Sequence, residues 1–240
     1  MRRHMFRWSP ARIIAGAFGS ISFIGSILLY LPWGHMPGQS ITYVDALYTA
    51  VSALCVTGLS IVDTAAVFNP FGQAILAVLI QVGGLGVSTM GAGVLLMLGR
   101  KVGIRQRNLI HDTMNLDSYS GVVRFLRTLF ATTVFIEIIG AFLGYFVFRR
   151  DYEMMESIGL SIFHSISSFN NAGLTILTKE RSMEMYAEDP FMLILTTALV
   201  FVGGLGFIVI RECWVNRFRW RKLSMHSRVS IFMAGFLLLG

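Results

Sequence analysis

The residues best placed to do chemistry in this chain form two short turns. Val56-Thr57-Gly58-Leu59-Ser60 closes the apolar segment Asp45–Cys55. The same layout returns 115 residues later, where Asn170-Asn171-Ala172-Gly173-Leu174-Thr175 closes Ser157–Phe169. Neither turn carries an acid–base pair or a nucleophile with its base. Each offers main chain instead: a glycine, which reaches backbone conformations other residues resist, and a row of carbonyl oxygens. Carbonyls that face a narrow axis replace the hydration shell of a cation. The chemistry on offer is coordination, by the carbonyls of the turns that Gly58 and Gly173 make possible. Leu59 and Leu174 suit a supporting role, anchoring each turn in the wall.

Such turns need elements that carry them to the right depth. Only 14% of the 240 residues are charged and the mean hydropathy is +0.66, against about 25% charged in soluble domains. Four segments reach the roughly 20 apolar residues a bilayer demands: Ala11–Leu31, Phe71–Leu98, Thr128–Phe148 and Phe191–Ile210. A further apolar stretch, Val229–Gly240, is too short to span. The segment Asp45–Cys55 covers about half a bilayer at 1.5 Å per residue. Thr42 and Asp45 form a capping pair at its start. Asp45–Ser60 must therefore enter and leave on one face, as a re-entrant loop. The spacing predicts an all-α, polytopic membrane protein built from repeated span, re-entrant pore loop and span, a potassium-channel-like plan.

The domains expected are residues 1–100 as the first repeat, 101–121 as a cytoplasmic linker, and 122–211 as the second repeat. Residues 212–240 hold a second linker and the opening helix of a third repeat. Charge sets the orientation. With the N-terminus inside, inner segments hold 16 of the 20 Lys and Arg residues, and outer segments hold nine of the 13 acidic ones. This is the positive-inside pattern, so the net charge of +7 speaks for membrane lipid as partner and not for nucleic acid. The half-helices point their C-terminal ends at the membrane centre, and that polarity favours a cation.

Other features carry less. Val-Gly-Gly-Leu-Gly occurs at Val82–Gly86 and Val202–Gly206 without the lysine and hydroxyl of a phosphate loop, and is expected to pack against the half-helices. Glu137 is the single carboxylate of its span, and a functional role and a structural hydrogen-bonded role both stand. His164 is expected to be a packed histidine. Asp45 and Asp63 flank the first turn as caps or as cation-gathering charges. Cys55 and Cys213 show no metal-ligand spacing, and no cluster supports an enzyme or a cofactor.

Ser-Ala-Leu-Cys-Val-Thr-Gly-Leu-Ser at 52–60 and Ile-Ser-Ser-Phe-Asn-Asn-Ala-Gly-Leu-Thr at 166–175 resemble the first two pore loops of the Trk/Ktr/HKT cation transporters. Ile80–Gly86 and Leu223-Ser224-Met225-His226-Ser227 look closer to the bacterial Ktr membrane subunit. The resemblance implies potassium uptake in the cell membrane through four span–loop–span repeats, with one glycine per filter loop. Carried over, it implies that Cys55, Val56, Thr57 and Gly58 in one loop and Asn170, Asn171, Ala172 and Gly173 in the other present the filter carbonyls. It also implies a homodimer, a cytosolic nucleotide-binding ring as regulatory partner, and stimulation by sodium. Two repeats make half of such a filter, so the sequence is expected to be a fragment of a longer subunit. The competing expectation is a non-conducting membrane scaffold that keeps the pore layout.

Overall fold

A computed structural model describes residues 10–86, 89, 122–177, 183–216 and 219–239. Every regular element among them is helical, apart from one isolated bridge between His35 and Phe68. The all-α expectation holds. The linker expected at 101–121 lies outside the described residues.

The first unit begins with α1, Pro10–Tyr30. It is followed by the half-length α2, Tyr43–Cys55, the single turn α3, Thr64–Val67, and α4, Pro70–Leu85. The second unit holds α5, Val122–Phe148, the half-length α6, Met154–Phe169, and α7, Pro190–Gly204. Two further helices follow, α8 at Phe207–Val215 and α9 at Met225–Leu239. Each half-length helix starts a little earlier than the apolar pattern indicated. For α2 the reason is local. Thr42 is the N-cap, its hydroxyl accepts the Asp45 N–H, and the Asp45 carboxylate accepts the Thr42 N–H in return, a reciprocal capping box.

Two of the expected continuous spans are broken. The segment expected as Phe71–Leu98 is helical to Leu85 and stops at Gly86, φ 82°; of residues 87–98 only Thr89 lies within the described residues. The segment Phe191–Ile210 breaks at Leu205–Gly206, again with φ 82° at the glycine, and α8 leaves α7 at 100°. Left-handed backbone at a glycine ends an α-helix. The third glycine of each Val-Gly-Gly-Leu-Gly run therefore ends its helix, and at Gly206 it makes a corner. In consequence α8 runs on to Val215, across the boundary expected between 211 and 212.

In each unit the half-length helix is held between its neighbours: α2 lies against α1 and α4, and α6 against α5 and α7. The units join where α4 meets α6. One apolar core runs through both, with Ala46, Ala50 and Ala53 of α2, Leu76 and Ile80 of α4, Phe148 of α5, Leu160 and Phe163 of α6 and Leu195 of α7. The outward face of α5 is apolar as well. Phe135, Ile138, Phe142 and Phe146 lie more than half exposed at helical spacing. α5 is also long and apolar enough to cross a membrane by itself.

Candidate functional site

The two glycine turns meet. Gly58 and Gly173 lie so close that a Cβ on Gly58 would stand 2.6 Å from the Ala172 carbonyl oxygen and 3.4 Å from the Gly173 Cα. Backbone from two loops 115 residues apart thus comes together with no side chain between.

Both turns are made the same way. The Val56 N–H donates to Ala53 O and the Thr57 N–H to Ser52 O; in the second unit Asn171 N–H donates to Ser168 O and Ala172 N–H to Ser167 O. This is the Schellman ending of a helix, which needs one residue in left-handed conformation. That residue is Val56 at φ 56° and Asn171 at φ 58°. Asparagine tolerates the conformation; a β-branched valine is a genuine outlier there, and such strain gathers where surrounding structure over-determines the backbone. Two residues on, Gly58 and Gly173 take φ 72° and 68°. Each turn therefore has left-handed residues at its second and fourth positions.

The half-helices hold the far sides of the turns with matched serines. Ser52 Oγ donates to Leu59 O at 2.5 Å, and Ser167 Oγ donates to Leu174 O at 2.6 Å. The glycine-rich runs supply the seat behind. A Cβ on Gly83 would collide with the Leu54 carbonyl, and one on Gly203 with the Phe169 carbonyl, the matching atom of the other unit. Between the units, Thr64 Oγ1 donates to Thr175 O, and Asn170 reaches into α4.

The side chains named from the sequence divide sharply. Leu174 is buried and Leu59 is 59% exposed, because packed neighbours cover the second turn more than the first. Asn170 is partly buried, with Nδ2 3.0 Å from Gln81 Oε1, 3.3 Å from Glu137 Oε1 and 2.9 Å from Ile166 O. Its counterpart Cys55 is exposed. Ala172 is buried, Val56 partly so, and Thr57 pairs its hydroxyl with Ser52 at 3.0 Å. His164 is a packed histidine, its Nε2 3.0 Å from Thr196 Oγ1 and its ring against Phe148. Asp63 caps α3 through the N–H groups of Ala65 and Ala66. Among the described residues no group of His, Cys, Asp or Glu is arranged to hold a metal ion.

Residues 10–231 match the family described as TrkH, cation transport protein. The chain belongs to the TrkH family. Membership places this chain in a membrane and sets it apart from enzymes. The chain is 34% identical over 225 residues to the Ktr system potassium uptake protein B of Bacillus subtilis, covering 94% of this chain and 49% of that protein. It is 35% identical over 234 residues to the potassium/sodium uptake protein NtpJ of Enterococcus hirae, covering 98% and 51%. The Ktr system potassium uptake protein B of Vibrio alginolyticus is 35% identical over 245 residues, covering 99% and 52%. The chain thus spans about half the length of the curated relatives it matches.

Ser52, Ser167 and Gln81 escaped sequence reasoning in this TrkH chain, as did the hydrogen bond from Asn170 to Glu137, a residue the sequence marks as functional or structural. Ser52 and Ser167 stand at the repeat distance of 115, so the repeat itself held the signal. Gln81 and Glu137 come to Asn170 from two other helices, and no spacing along the chain announces that.

Proposed function

We propose that this chain forms half of a channel-like potassium uptake pathway in the cell membrane. The observation that carries the reading is the meeting of two identically built glycine turns at Gly58 and Gly173. The relatives named for potassium uptake support it. In this reading Cys55–Gly58 and Asn170–Gly173 present carbonyl oxygens to the ion. α2 and α6 enter from the outer side as re-entrant half-helices and turn their C-terminal partial negative charge toward it. The repeats are those expected from the sequence: 1–100 and 122–211, with inner segments at 101–121 and 212–240 and the N-terminus in the cytoplasm.

Two turns cover two quarters of a fourfold axis. The remaining quarters come from residues outside this sequence or from a second copy. Cys55 and Gly204 are exposed where their counterparts Asn170 and Gly84 pack against each other; these are the two open edges at which further units join. The full-length protein forms a homodimer. Its basic inner segments rest on a cytosolic nucleotide-binding ring, in keeping with relatives named as parts of a Ktr system. Sodium stimulates uptake, in keeping with the potassium/sodium name of the Enterococcus relative.

Growth of a potassium-uptake-deficient host on limiting potassium tests the pathway, using the transport-competent protein that contains this chain. Gly58→Ala should abolish rescue, and rescue equal to the unsubstituted protein would sink the proposal. The open edges favour a second reading for the 240 residues alone, a membrane scaffold that does not conduct. Potassium flux into liposomes bearing only this chain separates the two.

A further inference from the structure

The geometry points to Glu137 and Gln81 as positioning residues for ion selection, acting through the side chain of Asn170. The inference rests on the pathway proposed above and goes beyond it, because neither residue belongs to a glycine turn. Asn170 is the C-cap of α6 and the first residue of the second turn. Its amide nitrogen carries two hydrogens and stands within reach of three acceptors on three helices: Gln81 of α4, Glu137 of α5 and Ile166 of α6 itself. On the other side, its Oδ1 lies against Gly84, where any Cβ would collide with it. The side chain is a peg in a socket.

Two walls of the socket are side chains, Gln81 and Glu137. Gly84 is main chain, and Ile166 O belongs to the helix that Asn170 ends. Glu137 is a carboxylate buried at the middle of α5. It holds α6 twice, since its backbone carbonyl accepts the Ser165 hydroxyl at 2.8 Å while its side chain accepts from Asn170. A buried carboxyl is costly at membrane depth unless it is hydrogen-bonded. It accepts here whether ionised or protonated. What it fixes is the lateral position of Asn170, three residues before the glycine that touches Gly58. Selection by carbonyls depends on their number and spacing, so a shift of this peg is read at the ion.

The test compares potassium and sodium uptake in the transport-competent membrane protein, at matched membrane abundance. Glu137→Ala should lower the potassium-to-sodium ratio about tenfold, the worth of one buried hydrogen bond. Glu137→Gln, which keeps an acceptor oxygen, should stay close to the unsubstituted ratio. An unaltered ratio in Glu137→Ala overturns the inference. So does a Glu137→Gln protein as unselective as Glu137→Ala, since the socket needs only an acceptor. Should Glu137→Ala fail to reach the membrane, Gln81→Leu decides in the same way through the other acceptor. Gly173→Ala runs alongside: potassium uptake unaffected by that change would remove the pathway reading itself, whereas a defect there with normal selectivity in Glu137→Ala removes only the role of the peg.

Discussion

At the scale of single residues, the two central glycines are not equivalent. A Cβ at Gly58 meets the Ala172 carbonyl oxygen at 2.6 Å, while at Gly173 the nearest neighbour is the Gly58 Cα at 3.6 Å, an ordinary contact. Both glycines have left-handed φ, which costs an alanine roughly 1–2 kcal/mol. Gly58→Ala adds a collision with backbone to that strain. We expect Gly173→Ala to retain partial potassium uptake where Gly58→Ala retains none, and equal losses would contradict the geometry. The serines give a second residue-level expectation. Ser52→Ala and Ser167→Ala each strip the carbonyl of Leu59 or Leu174 of a hydrogen bond close to buried surroundings, a loss of about 1–3 kcal/mol. Thermal unfolding in detergent should show both, and a stability equal to the unsubstituted protein would mean those hydroxyls hold nothing.

At the scale of elements, the glycine-rich runs do two jobs that one motif obscured. The first glycine, Gly83 or Gly203, admits a carbonyl from the last turn of the half-helix, that of Leu54 or Phe169; the last glycine, Gly86 or Gly206, ends the helix at positive φ. Gly83→Ala should destabilise by about 1–3 kcal/mol or more, because the obstructing atom is backbone and cannot rotate away. Reduced membrane yield together with a lowered unfolding temperature is the expected record. The elements' starts are legible in the sequence: Thr42 with Asp45, and Asn69 and Asp189 each before a proline, all cap helices as their types imply. Their ends are not. Hydropathy ran through Gly86 and Gly206 because apolar residues continue past both, and such an ending is a property of φ that composition does not record. Asp189 adds a pH dependence. The N–H of Met192 first, then that of Phe191 and the Arg150 guanidinium at 2.6 Å, hold its carboxyl below the ordinary value against opposing desolvation. A depressed carboxyl contributes stability that is complete above its unfolded value, about 3.9, and that disappears as pH falls through the folded one. Asp189→Asn keeps the capping oxygen and cannot titrate, so the acid limb of its unfolding curve should flatten relative to the unsubstituted protein.

At the scale of the whole molecule, the arrangement is a pair of units around a shared seam, bridged by Asn170 at the end of α6 reaching Gln81 of α4 and by Thr64 on Thr175. Cys55 occupies the place in the first unit that Asn170 holds in the second, and it is exposed. A membrane-impermeant thiol reagent should therefore label Cys55 quickly in this chain alone and far more slowly once further units assemble. Equal labelling in both would argue against the fourfold arrangement. The seam was the least legible part of the sequence: the repeat showed that two turns exist, but the contact between Gly58 and Gly173 and the reach of Glu137 to Asn170 depend on how helices cross. The matching of the turns has one more consequence. Val56 pairs with Asn171, Ser52 with Ser167, Leu54 with Phe169, all at a separation of 115, whereas the capping residues Asn69 and Asp189 and the helix-ending glycines Gly86 and Gly206 stand 120 apart. The second unit therefore has five more residues than the first between its turn and the following helix. The spacing within each turn, and from each cap to its glycine, is the same in both units, and their difference in length lies between the two. Across those separations most side chains differ, while the serine behind each turn, the glycine and leucine within it and the Val-Gly-Gly-Leu-Gly run that seats it are the same in both units.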